Sequence, residues 1–236
     1  MSTLGKSPSD RRGNGLVSKT KKSHSNESPI QIPDDQILLS AKDPELIKVK
    51  HQRIVDCSCK LFFKKGYHPT TIRDISKACG MSMGQLYHYI SSKDDVLFLV
   101  HKQMQKMWYE HLVKFGVLEI KSPLNRLTMA LRLTLELIAK NKKLFLFIYT
   151  ESKHLERKHL HNVLRIDDEN VVGFWRGLLE ELNQEKPLKD DIDFLANLIT
   201  YISVFLALRG WNLKGRPTNK NIDSIIDFIL GGLGLA

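Results

Sequence analysis

The chain has 236 residues, long enough for one large or two small domains with a real core, and carries 36 Lys and Arg against 26 Asp and Glu, a formal net charge of +10. Its three cysteines, Cys57, Cys59 and Cys79, are no disulfide framework, and Cys57 and Cys59, two apart on a helix, cannot share a metal. No stretch offers the roughly 18 uncharged apolar residues of a membrane span, and the start lacks the apolar core of a signal peptide, so a cytoplasmic chain is expected.

Residues 1–26 carry net +5, residues 27–45 net −4, residues 46–95 net +5 and the other 141 residues only +4. Positive charge is thus densest in the first arm and in 46–95, the footprint of a nucleic-acid surface. Residues 1–45, rich in Ser, Lys, Asn, Pro and Gly, have no helical period and are expected to form a disordered arm. A helix is predicted from about Ile47, with Ile47, Ile54, Ser58, Leu61 and Phe62 on one face. It should end at Lys64-Lys65-Gly66, with the glycine as a left-handed cap.

Residues 70–95, TTIRDISKACGMSMGQLYHYISSKDD, contain three capping-box pairs: Thr71 with Asp74, Ser82 with Gln85, and Ser92 with Asp95. They predict short helices over about 72–79 and 83–89, with Gly80 in the turn, and a long helix from Ser92 to about Phe115. Two short helices joined by a tight turn make a helix-turn-helix, whose second helix places its N-terminal residues at base edges in the major groove. Free N–H groups at its start suit phosphate, and Gly84 keeps the surface low.

This run, with LFFKKGYHPTT before it, resembles the DNA-binding domain of the TetR/AcrR family of bacterial regulators. The likeness rests on the glycine-aromatic pair, the Ile-x-x-Ile spacing, Gly80, Leu86-Tyr87-x-Tyr89 and Ser92-Lys93, over about 48–108. It implies an all-helical dimeric repressor whose C-terminal domain binds a small molecule and so loosens the grip on DNA. By resemblance, Arg73, Met83, Gly84 and Tyr87 face bases, with Arg73 suited to a guanine edge and Met83 to a thymine methyl. Thr71, Gln85, His88, Tyr89 and Lys93 match phosphate-contacting positions, and Ser82 opens the reading helix.

Further helices are predicted over about 123–139, 142–152, 156–183, 190–209 and 220–231. The fold class is all-α with about nine helices: an arm to residue 45, a helix-turn-helix domain over 46–108 with its motif at about 71–90, and a ligand-binding and dimerisation domain over 109–236. Segment 190–209 is apolar nearly all round, and 220–231 carries a stripe of Ile222, Ile225, Ile226 and Ile229. These two C-terminal helices are expected to pair with their copies in a homodimer.

Phe145, Phe147, Tyr149, Phe174 and Trp175 are candidates to line an apolar cavity, with Trp211 at the end of the following helix. FIYTESKHL and the turn at Trp211 are similar to TetR-type regulators that respond to fatty acyl-CoA. That resemblance implies an acyl chain in the cavity, with Lys153, Arg157, Lys158 and His159 meeting phosphates at its mouth. The alternatives are a multidrug-type sensor with the same DNA-binding mechanism, or a basic helical interaction scaffold. His154, His159 and His161 share no helix face, so no metal site is expected. No catalytic triad, phosphate loop or dinucleotide motif is present, and neither an enzyme nor a cofactor is expected.

Overall fold

The structure is a computed structural model that describes Ile37 and residues 43–213 and 215–235; the expected arm over 1–45 falls almost wholly outside these residues. Helix α1 (Pro44–Lys65) starts earlier than its apolar stripe, because Asp43 accepts hydrogen bonds from the Glu45 and Leu46 amides and Pro44 occupies the first helical position. It ends at Gly66 with φ 88° and ψ 162°. The glycine is needed there, but the chain leaves in an extended direction instead of curling into a left-handed cap.

Three helix starts follow, each with its capping box formed: Thr71 for α2 (Ile72–Cys79), Ser82 for α3 (Met83–Tyr87) and Ser92 for α4 (Lys93–Lys114). Gly80, at φ 61° and ψ 40°, supplies the left-handed residue that turns α2 into α3. Helix α3 is two residues shorter than predicted. Its end tightens at His88 and Tyr89, and the Tyr89 carbonyl accepts from His51 Nε2 of α1 at 2.9 Å. Ile54, Ile75, Leu86, Ile90 and Leu97 are fully buried and lock the four helices together.

The rest of the chain comprises α5 (Pro123–Lys140), α6 (Lys142–Glu151), α7 (Arg157–Asp167), α8 (Gly173–Glu185), α9 (Ile192–Ser203), α10 (Phe205–Arg209) and α11 (Thr218–Leu233). A π-helical turn, Asp168–Val172, joins α7 to α8 without a break, and α10 continues α9 after Val204. Counted as continuous rods, the described residues form nine helices and no strand.

Two apolar cores share α4. Its first half, to Met104, packs with α1–α3, α6 and α7, whereas Trp108, Tyr109 and Leu112 belong with α5, α8, α9 and α11. One helix, Ile192–Asn212, is long and apolar enough to cross a membrane by length and composition. In this fold its Leu195, Ala196, Ile199 and Leu206 are buried in the second core.

Candidate nucleic-acid interface and effector cavity

Helix α3 is held from behind by Leu86, which is fully buried, while Ser82, Gly84, Gln85, Tyr87 and His88 face outward and Met83 and Tyr89 are half-buried. Tyr87 is 48% exposed, far from the burial expected of a packing aromatic. Gly84 adopts ordinary helical geometry, and a Cβ added to it would meet nothing closer than Ser82 Oγ at 4.0 Å. The fold therefore places no steric demand for glycine at this position. Thr71 and Arg73 are exposed at the start of α2. Asp74 beside them is held well below the usual carboxylate range by Lys65 and by hydrogen bonds from Thr71.

Lys93 is placed differently from the other members of the set. Its ammonium donates to the carbonyls of Tyr67, His68 and Thr70 at 3.0, 3.2 and 3.1 Å and lies 4.3 Å from the centre of the Tyr67 ring. All three of its donors are thus used within the protein, tying the loop after α1 to the start of α4. Burial lowers its pKa.

Behind this surface lies a cavity of about 240 Å³ bounded by α4, α5, α6, α7, the π-turn, the start of α8 and α9. Phe145, Tyr149 and Trp175 line it, together with Met104, Trp108 and Ile138. Phe174 does not; it packs edge-on against Trp108 and Trp175. Phe147 stacks on Phe62 of α1 instead. Trp211 is 65% exposed and lies outside the lining, beside Arg209. His159 is not on an open rim either but buried against Asp94 and Asp95, while Lys153, Arg157 and Lys158 are exposed.

The cavity also contains polar groups that the aromatic pattern did not suggest. His101 is buried and its pKa is pushed down to about 4 by desolvation, so it is neutral at pH 7. Its Nε2 lies 3.1 Å from Ser152 Oγ, whose hydroxyl donates to the Ile148 carbonyl, so Nε2 carries the imidazole proton. Asp167 is raised from 3.8 to about 6, chiefly by burial. Gln105 donates to Asp167 at 3.5 Å and accepts from Asn170 on the π-turn at 3.4 Å. A sequence signal existed for both groups: Asp167 follows Leu160, Val163 and Leu164 at helical spacing, and His101 stands in phase with Leu97, Met104 and Trp108.

Residues 54–100 match the family model for bacterial regulatory proteins of the tetR family. Over these residues the chain carries a helix-turn-helix unit of the tetR-family type. It is 34% identical over 88 residues to the HTH-type transcriptional regulator HbdR of Aromatoleum sp. (strain CIB), a match spanning 37% of this chain and 38% of that protein's length. The fatty acid metabolism regulator protein of Bacillus subtilis is 22% identical over 190 residues, covering 78% of this chain and 95% of that one. The fold is also that of the crystal structure of FadR from Bacillus subtilis in complex with stearoyl-CoA, with TM-score 0.66 at 18% identity over 77% of this chain and 98% of that chain. The matched relatives are named as transcriptional regulators, not enzymes.

Proposed function

We propose that this regulator is a homodimeric repressor that a hydrophobic effector of the fatty acyl-CoA class releases from a palindromic operator in the cytoplasm. The observation that carries the reading is that α4 both follows the reading helix and walls the cavity with His101, Met104 and Trp108. An occupant that favours one tilt of α4 biases the placement of α3, as a ligand must if it is to shift a population. The relative named for fatty acid metabolism and the stearoyl-CoA complex support the effector class. An acyl chain would take the apolar wall, and the exposed Lys153, Arg157 and Lys158 are the cations available for the CoA phosphates.

At the DNA surface, Arg73, Met83, Gly84 and Tyr87 read bases, while Thr71, Ser82, Gln85, His88 and Tyr89 position the motif on phosphates. Lys93 acts through the loop it braces, and its charge adds to the field at the α4 N-terminus. The dimer forms through α9–α10 and α11. Phe194, Leu198, Tyr201, Phe205 and Phe228 are exposed there, and Ile202, Phe205, Leu213, Ile225 and Phe228 border a groove on that face. Such a patch on a soluble chain calls for a partner, and a two-fold copy satisfies it.

Asp167 favours a second reading, a multidrug-type sensor. A buried carboxylate that ionises at about 6 is the anchor a planar cationic drug would use. One experiment separates the two. An operator is selected from randomised DNA, where an inverted repeat with half-sites about one turn apart or somewhat more is expected. Its complex is then challenged with long-chain acyl-CoA, free fatty acid, CoA alone and a planar cationic drug. Release by acyl-CoA alone supports the first reading, and release by the drug alone replaces it with the second. Recovery of direct repeats, or of no enriched site, overturns both.

A further inference from the structure

At the seam between the helix-turn-helix unit and the effector unit, the first turn of α7 packs on the first turn of α4. His159 is 6% exposed, and its ring is stacked against Phe98 at 5.4 Å. Its Nε2 lies 3.2 Å from Asp95 Oδ1, and the other oxygen of Asp95 accepts from the Ser91 and Ser92 amides. In a neutral ring the Asp95 carboxylate would hold the imidazole proton on Nε2 and leave Nδ1 as a lone pair. That Nδ1 is buried without a hydrogen-bond partner. Its neighbour is Asp94 Oδ2 at 3.7 Å, which also accepts from the Glu156 amide at 2.5 Å, and the Glu156 side chain completes a trio whose ligand atoms all lie within 4.8 Å of one another.

An unprotonated Nδ1 beside carboxylates is repulsive unless a cation stands between them. We infer that Asp94, Glu156 and His159 bind a divalent metal ion of the Zn²⁺ class, which braces the DNA-binding unit against the effector unit. Ligands at about 2.0–2.2 Å from a tetrahedral ion sit about 3.4 Å apart, so the trio needs to draw in by about an ångström. Glu156 is exposed and free to swing by that much. Asp95 serves as the outer carboxylate that fixes the tautomer and direction of the ligating imidazole. Three protein ligands leave the fourth position to water. Tyr67 donates to the far oxygen of Asp94 at 3.0 Å and aims that carboxylate at the site. A separate trio of His68, Glu151 and His154 lies on the same seam and is more exposed. It lacks a buried, unpartnered ligand atom and is the control.

The test uses the full chain stripped with chelator and titrated with Co²⁺ at neutral pH. Uptake of a single equivalent per chain is expected, with the visible d–d absorption of a low-coordinate ion and displacement by Zn²⁺. Glu156→Gln, an exposed change that leaves the core untouched, should weaken binding by at least about tenfold. His159→Gln should abolish it with helicity unchanged by circular dichroism, and His154→Ala should retain it. If His159→Gln fails to fold, Glu156→Gln decides. A spectrum that stays that of aqueous Co²⁺ overturns the inference. Binding that survives Glu156→Gln, or that is lost only in His154→Ala, overturns it equally by placing the ion elsewhere.

Discussion

Gly84 sits in the first turn of an exposed helix where a Cβ would touch nothing within the protein closer than 4.0 Å. A glycine in a helix costs up to about 1 kcal/mol against alanine. Folding alone would therefore favour the replacement, and the cost is offset only if something outside the chain approaches closely. Gly84→Ala should raise the melting temperature by about 2–4 °C while weakening operator binding, measured by thermal unfolding and by anisotropy on the selected site. Unchanged affinity would place Gly84 away from the DNA. Arg73 and Tyr87, both exposed, are the side chains whose loss should relax sequence preference instead of lowering affinity evenly.

The α7–π–α8 rod carries the group that titrates. The folded state holds Asp167 up at about 6 against its ordinary 3.8, so folding favours the protonated acid. The unfolded chain ionises first as pH rises. Stability is therefore fullest below about 4 and declines as pH climbs to about 6, after which the penalty is constant. A net shift of about two units, in which the opposing Gln105 hydrogen bond is already included, corresponds to about 3 kcal/mol as an upper figure. Asp167→Asn should then be more stable than the parent in urea melts at about pH 7.5 and no more stable at about pH 4. A difference that persists at about pH 4 would assign the effect to something other than ionisation. The π-turn that follows was not legible in the sequence, since the run reads as one unbroken helix. The three capping boxes were legible because each is written within four residues. An aromatic stripe gives helical phase but not depth, so Phe174 and Trp211 looked like Tyr149 although only Tyr149 borders the cavity. His159 was misread for a related reason: its partners Asp94 and Asp95 lie more than 60 residues away.

For the whole molecule, the proposed dimer rests on the outward face of α9–α11. Phe228 is 69% exposed, so Phe228→Glu should leave each subunit folded while setting two charges against one another across the pairing. Sedimentation should show monomers. Operator affinity should fall by roughly two orders of magnitude or more, because the second half-site would no longer be held at high local concentration. A dimer that persists, still bound to DNA, would move the interface elsewhere. The net charge of +10 predicts in addition that binding weakens steeply as salt rises, since each phosphate contact releases counterions.

Helix α4, gripped by the second core from Trp108 onward and free of it before Met104, has the proportions of a lever. At about 1.5 Å per residue, His101 stands about 10 Å from that fulcrum and Lys93 about 22 Å. A wedge that moves α4 by about 1 Å beside His101 would carry the start of the helix by about 2 Å, and two subunits moving oppositely would change the separation of their reading helices by about 4 Å. Against a groove repeat of about 34 Å, that is enough to take one helix out of register with its half-site while the other still holds. The mechanical gain is set by where along α4 the cavity lies, so effectors that reach towards Trp108 have the shorter throw per ångström of helix swing and must push harder.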